Sequence, residues 1–586
     1  MCGICGFNFE DKDLLKKMMT VLKHRGPDGQ GKYVDKNISF GHTRLAIIDL
    51  KTGKQPIYNE DKSIVIVFNG EIFNYKELRE KLLLKHKFST NSDTEVIIHA
   101  YEEYGLKFVN LLEGQFAFAL WDSNKKQLIL ARDSQGICPL YYYYEKSKFV
   151  FASEQKAILS LENIKFNNSG ISEYLYQGFL NTKITFFKNV NKLGPGELLL
   201  FKENKIKIYN HNYLDINNRS NYKFLKSKII SEIEKSTVAD VPIGLYLSGG
   251  LDSNIICSVL SKNGKKELNT FTIGFDDEKI NETKFAEISA KHYNTNHFET
   301  TYSVEDVLKN FSKITYALDQ PIADAAKFSY YFLSKKAAKE KIKVVLSGIG
   351  GDEIFAGYPQ YRLIYYWQKY IKHKLLKDLA INAFKFKYSN TSTANNFYSA
   401  LKKDDGNHMK LFDETTHRTF SKDEVFKLTK KRDNRNLLNK HEIMNNMQIQ
   451  DLQSTVVNDY LIISDELNLI HGVEGRVPLL SKELINLGLS LNTNERITPF
   501  SGKIALRKAF KNDLPKEIIN KSKTGFTSPL RDWFDNGLYD FAGDKFQNIE
   551  IDFLSRSEVE NIYKNKDYNK IWYLLVFYDW YNKFVK

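Results

Sequence analysis

Ile243-Gly244-Leu245-Tyr246-Leu247-Ser248-Gly249-Gly250-Leu251-Asp252-Ser253 decides how the second part of this chain folds. Its first five residues read as a buried strand, and a helical pattern runs from Asn254 to Lys262. Between them, glycines let the backbone approach a phosphate closely, and exposed amides at a helix N-terminus attract anions. Ser248 and Ser253 add hydroxyl donors, and Asp252 is a carboxylate of the kind that holds Mg2+. The loop is not a Walker A sequence, since GxxxxGK[ST] does not occur, and there is no GxGxxG. A glycine-rich turn without ligand is the plainer reading. A second cluster of the same design weighs against it: the strand Val344 to Leu346 runs into Ser347-Gly348-Ile349-Gly350-Gly351-Asp352-Glu353. Asp352 is thus a second metal or pyrophosphate candidate.

Outward from these loops, strands and helices alternate. Helices are predicted over Phe224 to Val238, Thr283 to His292 and Ser329 to Lys339, and strands over Phe271 to Phe275 and His297 to Thr300. Such alternation predicts a parallel sheet with helices on both faces. From about residue 360 the chain reads as mostly helical, with 371–450 the least informative stretch. The polar run Asp215 to Asn221 marks a boundary, which divides the chain into segments 1–210 and 220–586. The first segment is rich in strands, with Ser63 to Phe68, Gln115 to Asp122, Gln127 to Arg132, Leu140 to Tyr144, Phe149 to Ala152 and Leu198 to Phe201 as candidates. Helical patterns intervene at Tyr75 to Lys85 and Thr94 to Tyr104.

The chain opens Met1-Cys2-Gly3-Ile4-Cys5-Gly6-Phe7. Removal of the initiator would leave Cys2 with both a thiol, the precursor of a nucleophilic thiolate, and a free α-amine able to act as a base near neutral pH. Five further segments suit a glutamine-hydrolysing site built on that residue: Arg25 to Gly29, Gly41 to Leu45, Asn69 to Ile72, Ser92 to Glu95, and Arg132-Asp133. Arg44 can clamp an α-carboxylate, Asp93 and Glu71 can face an α-ammonium, and the Asn69 side chain with the Gly70 amide can hold an oxyanion. Each has a plainer reading. Asn69-Gly70 also reads as a turn, and Ser92 with Glu95 as a capping box. His24, His42 and His86 read as structural.

Composition bounds the rest. With 586 residues, two or three domains are expected. No run of eighteen apolar residues occurs, the aromatic stretch Ile571 to Phe577 being broken by Asp579, so no spanning helix is predicted. Four cysteines make no disulfide framework, and with no secretory signal this predicts a reduced, cytoplasmic setting. The net charge of +14 admits a nucleic-acid partner, but lysines scattered through every segment also read as ordinary solvated surface.

Cys2 with its five segments, followed by Ser248 to Ser253, resembles the asparagine synthetase family over nearly the whole chain. The resemblance implies an α+β N-terminal-nucleophile sandwich followed by an α/β pyrophosphate-loop domain with a helical C-terminal part. It makes Cys2 the nucleophile, Asn69 and Gly70 the oxyanion donors, and Arg44, Asn69, Glu71 and Asp93 the glutamine-binding groups. It implies ATP bound by Leu247, Ser248, Gly249, Gly250, Asp252, Ser253, Ile273, Ser347, Gly348 and Asp352. Mg2+ would sit on Asp252 and Asp352, and Lys523 would face the leaving pyrophosphate. The implied partners are small molecules: glutamine, ATP, and aspartate or another carboxylate. No nucleic acid or membrane is implied, and a homodimer is a family analogy. Val473 to Pro478, preceded by Asp465, resembles a further signature of the family.

The chain departs from that pattern at Ile349, where the family usually carries an acidic residue facing the reacting centre. Gln320 stands where Glu is usual, and Ser481 where Asp is usual. Ile349 opens a second reading, the same ligase chemistry on a different carboxylate such as a polysaccharide or peptide precursor. Two further readings are an RNA-modifying pyrophosphate-loop enzyme and a nucleotide-binding regulator without turnover.

Overall fold

The computed structural model describes residues 1–181, 183–211, 222–262, 268–275, 282–370, 401, 407–415, 419–431, 441–521 and 528–586. Lys523, the run 215–221 and most of 371–450 lie outside the described residues.

The strands are numbered in chain order. One antiparallel sheet contains β1 (Gly3–Phe7), β2 (Gly29–Val34), β3 (Ser39–Arg44), β8 (Tyr141–Glu145), β9 (Lys148–Ala152) and β10 (Val190–Lys192), ordered β10-β8-β9-β1-β3-β2. The other contains β4 (Ile57–Tyr58), β5 (Ile64–Ile72), β6 (Gly114–Asp122), β7 (Gln127–Arg132), β11 (Glu197–Lys202) and β12 (Lys205–Asn210), ordered β12-β11-β7-β6-β5-β4.

Their strands are apolar on both faces because both faces are covered. Along β5, Val65 and Val67 turn toward Ile4, Phe40 and Phe151 of the first sheet, while Ile64, Ile66 and Phe68 turn outward against Val96 and Ile97. In β1, Ile4 joins the inner core and Cys5 and Phe7 the outer one, which holds Leu14, Leu15 and Met18 of the helix Lys12–Val21. The period-2 geometry of strands thus builds helix, sheet, sheet and helix as four layers. Strands of this kind read as continuous apolar runs, so the run at Ser63 to Phe68 shows an end in the sequence where the strand has none. β5 continues through Asn69 and Gly70 to Ile72, paired residue for residue with β6, and the turn reading of Asn69-Gly70 is wrong.

The third sheet is wholly parallel, in the order β15 (Asn296–Thr301), β14 (Asn269–Gly274), β13 (Ile243–Tyr246), β16 (Val344–Leu346), β17 (Glu474–Arg476). The helix after β13 spans Leu251–Lys262, three residues earlier than expected, so Asp252 and Ser253 lie in its first turn. The C-terminal helix Tyr568–Phe584 is a packed core element with Trp572 and Trp580 buried. No helix among the described residues is long and apolar enough to cross a membrane.

Candidate functional site

Cys2 leads directly into β1 and is 7% exposed. Its backbone N–H donates to Asn69 Oδ1 at 2.6 Å, and its carbonyl accepts from Arg25 Nε at 3.0 Å. The thiol lies 3.8 Å from the Leu45 carbonyl, and burial pushes its pKa up. Asn69 is fully buried; with Oδ1 committed to Cys2, its Nδ2 donates to no described group. At Gly70 the φ is 139°, and a Cβ there would meet the Gln115 carbonyl oxygen at 2.0 Å, so only glycine lets β5 and β6 approach this closely.

The other predicted residues gather round. Arg44 ends β3, and its Nη2 donates to the carbonyls of Asp49 (2.7 Å) and Ile48 (3.3 Å). Asp93 accepts from the Ile72 amide at 2.9 Å, and burial pushes its pKa up to about 6. Burial and then Asp93 push Glu71 up as well, against the pull of Arg476, 3.6 Å away. The expected capping box at Ser92 and Glu95 is absent. The Glu95 carboxylate instead accepts from the amides and hydroxyls of Ser89 and Thr90, and the helix Glu95–Tyr104 has no side-chain cap. Asp133 organises its own loop, accepting from the amides of Ile137 and Cys138 at 3.0 Å. His42 is buried and held neutral, its pKa pushed down to about 3 by burial.

The second domain reaches into this site. Glu474 of β17 pairs with the Met1 ammonium and with Arg476 Nε at 2.7 Å. Burial opposes the Met1 charge, yet Glu474 beside it holds the ammonium pKa above its ordinary value. Arg25, fully buried, binds both oxygens of Asp465 (2.7 and 3.1 Å) and Glu154 at 2.9 Å.

The other site lies at the C-terminal ends of the parallel strands, where ligands bind in open α/β sheets. A cavity of ≈ 360 Å³ is lined by Leu247, Ser248, Gly250, Asp252, Ser253, Ile273, Ser347, Gly348, Ile349, Asp352 and Glu353. Gly249 lines an adjoining cavity of ≈ 410 Å³, where Arg362, Lys503, Arg507 and Lys521 face Asp252, Glu282 and Asp352. The loop is internally braced: Ser253 Oγ accepts from the Ser248 amide at 3.2 Å, and Asn254 Nδ2 donates to the carbonyls of Ser248 (3.0 Å) and Gly250 (2.7 Å). A Cβ on Gly351 would meet Asp252 Cγ at 2.4 Å, so the second glycine cluster is what lets the two loops close on each other.

Lys503 went unread in the sequence. Its ammonium sits between Asp252 and Asp352, 2.6 Å from the latter. The one signal was a Gly-Lys pair ahead of a short helical pattern, too common to single out. The Lys503 ammonium bridges the two carboxylates, which brings them to one cation position. Ile349 packs partly against the core beneath the loop. Glu353, 2% exposed, accepts from the Tyr358 hydroxyl at 2.8 Å, and burial followed by Asp352 pushes its pKa up to about 7. Ser481 caps the helix Lys482–Ser490, its Oγ accepting from the Leu484 amide, as an Asp there would do.

These features define a class, an N-terminal-nucleophile sandwich joined to a pyrophosphate-loop domain. Residues 1–214 match the model of a glutamine amidotransferase domain, and residues 225–582 that of asparagine synthase. The chain belongs to the asparagine synthase family. It is 30% identical to asparagine synthetase [glutamine-hydrolyzing] 1 of Bacillus subtilis over 99% of this chain and 96% of that protein. A putative asparagine synthetase [glutamine-hydrolyzing] 2 of Methanocaldococcus jannaschii is 35% identical over 61% of this chain and 76% of its own length. A putative asparagine synthetase of Mycobacterium bovis is 27% identical over 100% of this chain and 98% of its own.

Proposed function

We propose that this chain is a glutamine-dependent asparagine synthetase that cleaves ATP to AMP and pyrophosphate. The observation that carries the reading is the convergence of Asp252 and Asp352 on one cation position, beside a cavity that Arg507, Lys503 and Lys521 line, in a chain that also buries Cys2 against Asn69.

With Met1 removed, the Cys2 amine takes the thiol proton and the thiolate attacks the glutamine amide carbon. Asn69 Nδ2 and the Gly70 amide hold the oxyanion, Arg44 the α-carboxylate, and Asp93 with Glu71 the α-ammonium. The Cys2 ammonium returns its proton to the departing ammonia, and water releases glutamate from the thioester. At the second site the aspartate side-chain carboxylate attacks the α-phosphorus of ATP, and pyrophosphate leaves toward Lys503, Arg507 and Lys521. Lys523 is proposed to join them. Leu247, Ile273 and Gly348 hold the adenosine, and Ser248, Gly249, Gly250, Ser253 and Ser347 the phosphates. Asp252 and Asp352 would hold Mg2+, which neutralises phosphate charge. Ammonia then displaces AMP. Glu353, in the cavity that Ile349 lines, accepts the proton of the attacking amine.

A second reading, a different acceptor carboxylate, is favoured by Ile349, which gives that cavity an apolar wall where a charged one would suit aspartate. The test is pyrophosphate release by purified protein with MgATP and glutamine, with and without aspartate, and asparagine scored by mass spectrometry. Aspartate-dependent pyrophosphate together with asparagine supports the first reading. Glutamate release without either transfers the activity to another acceptor.

A further inference from the structure

One side-chain cluster belongs to neither site. Glu60 precedes β5, His86 follows the helix Tyr75–Leu82, and His99 with Glu102 lies on the helix Glu95–Tyr104. One ligand atom from each of these four lies within 4.8 Å of the others. Both imidazoles present Nδ1 to the same two carboxylates. His99 Nδ1 is 2.8 Å from Glu102 and 3.8 Å from Glu60, while His86 Nδ1 is 3.4 Å from Glu60 and 3.6 Å from Glu102. Both present Nε2 to an outer carboxylate, His86 to Glu103 at 3.3 Å and His99 to Glu95 at 3.7 Å.

We propose that Glu60, His86, His99 and Glu102 form a binding site for a divalent transition-metal ion of the zinc class, distinct from the carboxylate pair of the pyrophosphate loop. Two imidazole nitrogens and two carboxylate oxygens make a four-coordinate zinc set, and two imidazoles disfavour Mg2+ and Ca2+, which take oxygen ligands. At His86 the outer carboxylate of Glu103 repeats the arrangement of metal-bound histidines, whose second N–H is held by a carboxylate that fixes the ring and the tautomer, while at His99 Glu95 stands 3.7 Å off, beyond hydrogen-bond reach. Bonds of about 2.0–2.2 Å bring tetrahedral ligands to roughly 3.4 Å from one another, so the cluster closes on the ion by small rotations. Glu60 and His86, whose side chains are 39% and 12% exposed, have room to make them. The ion joins two helices and the entry to β5. Glu95 ties in the segment leading to Asp93 by holding Ser89 and Thr90.

The test uses full-length protein stripped with a chelator and desalted, without Mg2+. It is titrated with ZnCl2, gel-filtered, and its metal counted by mass spectrometry. One zinc per chain, a melting temperature raised by several degrees, and a tetrahedral visible band with Co2+ are expected. Glu60→Gln and His86→Gln, at the open end of the cluster and checked by circular dichroism, should bind at least tenfold more weakly and lose the band. No retained zinc overturns the proposal and leaves a hydrogen-bonded cluster only. Equal retention in the variants also overturns it, placing the zinc elsewhere, for example at Cys2.

Discussion

Asn69 does two jobs with one side chain, and two substitutions separate them. Its Oδ1 accepts from the Cys2 nitrogen at 2.6 Å, and its Nδ2 has no described partner. Asn69→Asp keeps an acceptor for Cys2 and loses the donor. Losing one oxyanion donor costs about 2.7–4 kcal/mol, roughly 10²–10³ in kcat. Asn69→Ala loses the donor and also frees the Cys2 amine, whose hydrogen bond in its charged form is worth about 1.5–3 kcal/mol. Its loss should therefore exceed that of Asn69→Asp. The assay pairs glutamate release with pyrophosphate release driven by ammonium chloride. Ammonia-driven synthesis should stay within about twofold of wild type, because distant sites behave independently. A fall in glutamate release of less than about tenfold in both variants would refute the oxyanion role. A parallel fall in ammonia-driven synthesis would refute the separation of the two sites.

Other outcomes follow from the same geometry. Asp93, with its pKa pushed to about 6, accepts a proton as the pH falls below that value and no longer pairs with the substrate ammonium. KM for glutamine should rise about tenfold per pH unit below 6, and Asp93→Asn should give a high, flat KM. Lys503→Met should abolish pyrophosphate release and leave glutaminase kcat unchanged, measured on the same preparation. Gly351→Ala should do the same, since its Cβ meets Asp252 Cγ at 2.4 Å. Glu353, pushed to about 7, should put an acidic limb near pH 7 on ammonia-driven synthesis measured at constant free NH3, absent in Glu353→Gln. The sign for stability is opposite to that of an ion-paired carboxylate. The folded state holds the Glu353 proton up to about 7 and the unfolded chain only to about 4.3. Stability from this group is therefore lost as pH rises through that window, and Glu353→Gln should flatten the slope in denaturant titrations.

The architecture was legible wherever chemistry forces a local pattern. Glycine turns that follow strands leave a local pattern, so both loops could be read, and a Cβ on Gly351 would collide with Asp252 and one on Gly249 with the Phe285 Cβ. Cys2 and Asn69, singled out in the sequence by the family resemblance, are in direct contact. What escaped were choices made in three dimensions. Ser92 and Glu95 have the spacing of a capping box, but Ser89 and Thr90 offered the carboxylate four donors and won. β5 does not stop at the glycine because β6 pairs it to Ile72. Lys503 carries no distinctive local signal because its meaning comes from two carboxylates far away in sequence. His86 was read as structural, and its grouping with Glu60 and His99 needed the fold.

The same reasoning explains why the two domains cannot be treated as independent modules. β17 comes late in the chain yet lies at an edge of the sheet beside β16, whose C-terminal end opens the second glycine loop. Its first residue, Glu474, pairs with its last, Arg476, which lies beside Glu71. From the preceding helix, Asp465 grips Arg25, which also holds the Cys2 carbonyl. The register of Cys2 against Asn69 is therefore set in part by the synthetase half. These charges are fully buried, and removing one partner of a buried pair typically costs about 3–5 kcal/mol because the other is left uncompensated. Asp465→Asn should consequently lower the melting temperature and slow glutamate release together, although Asp465 touches no substrate. If that variant unfolds at the wild-type temperature with unchanged glutaminase kcat, the Arg25 bridge does not set the geometry of Cys2.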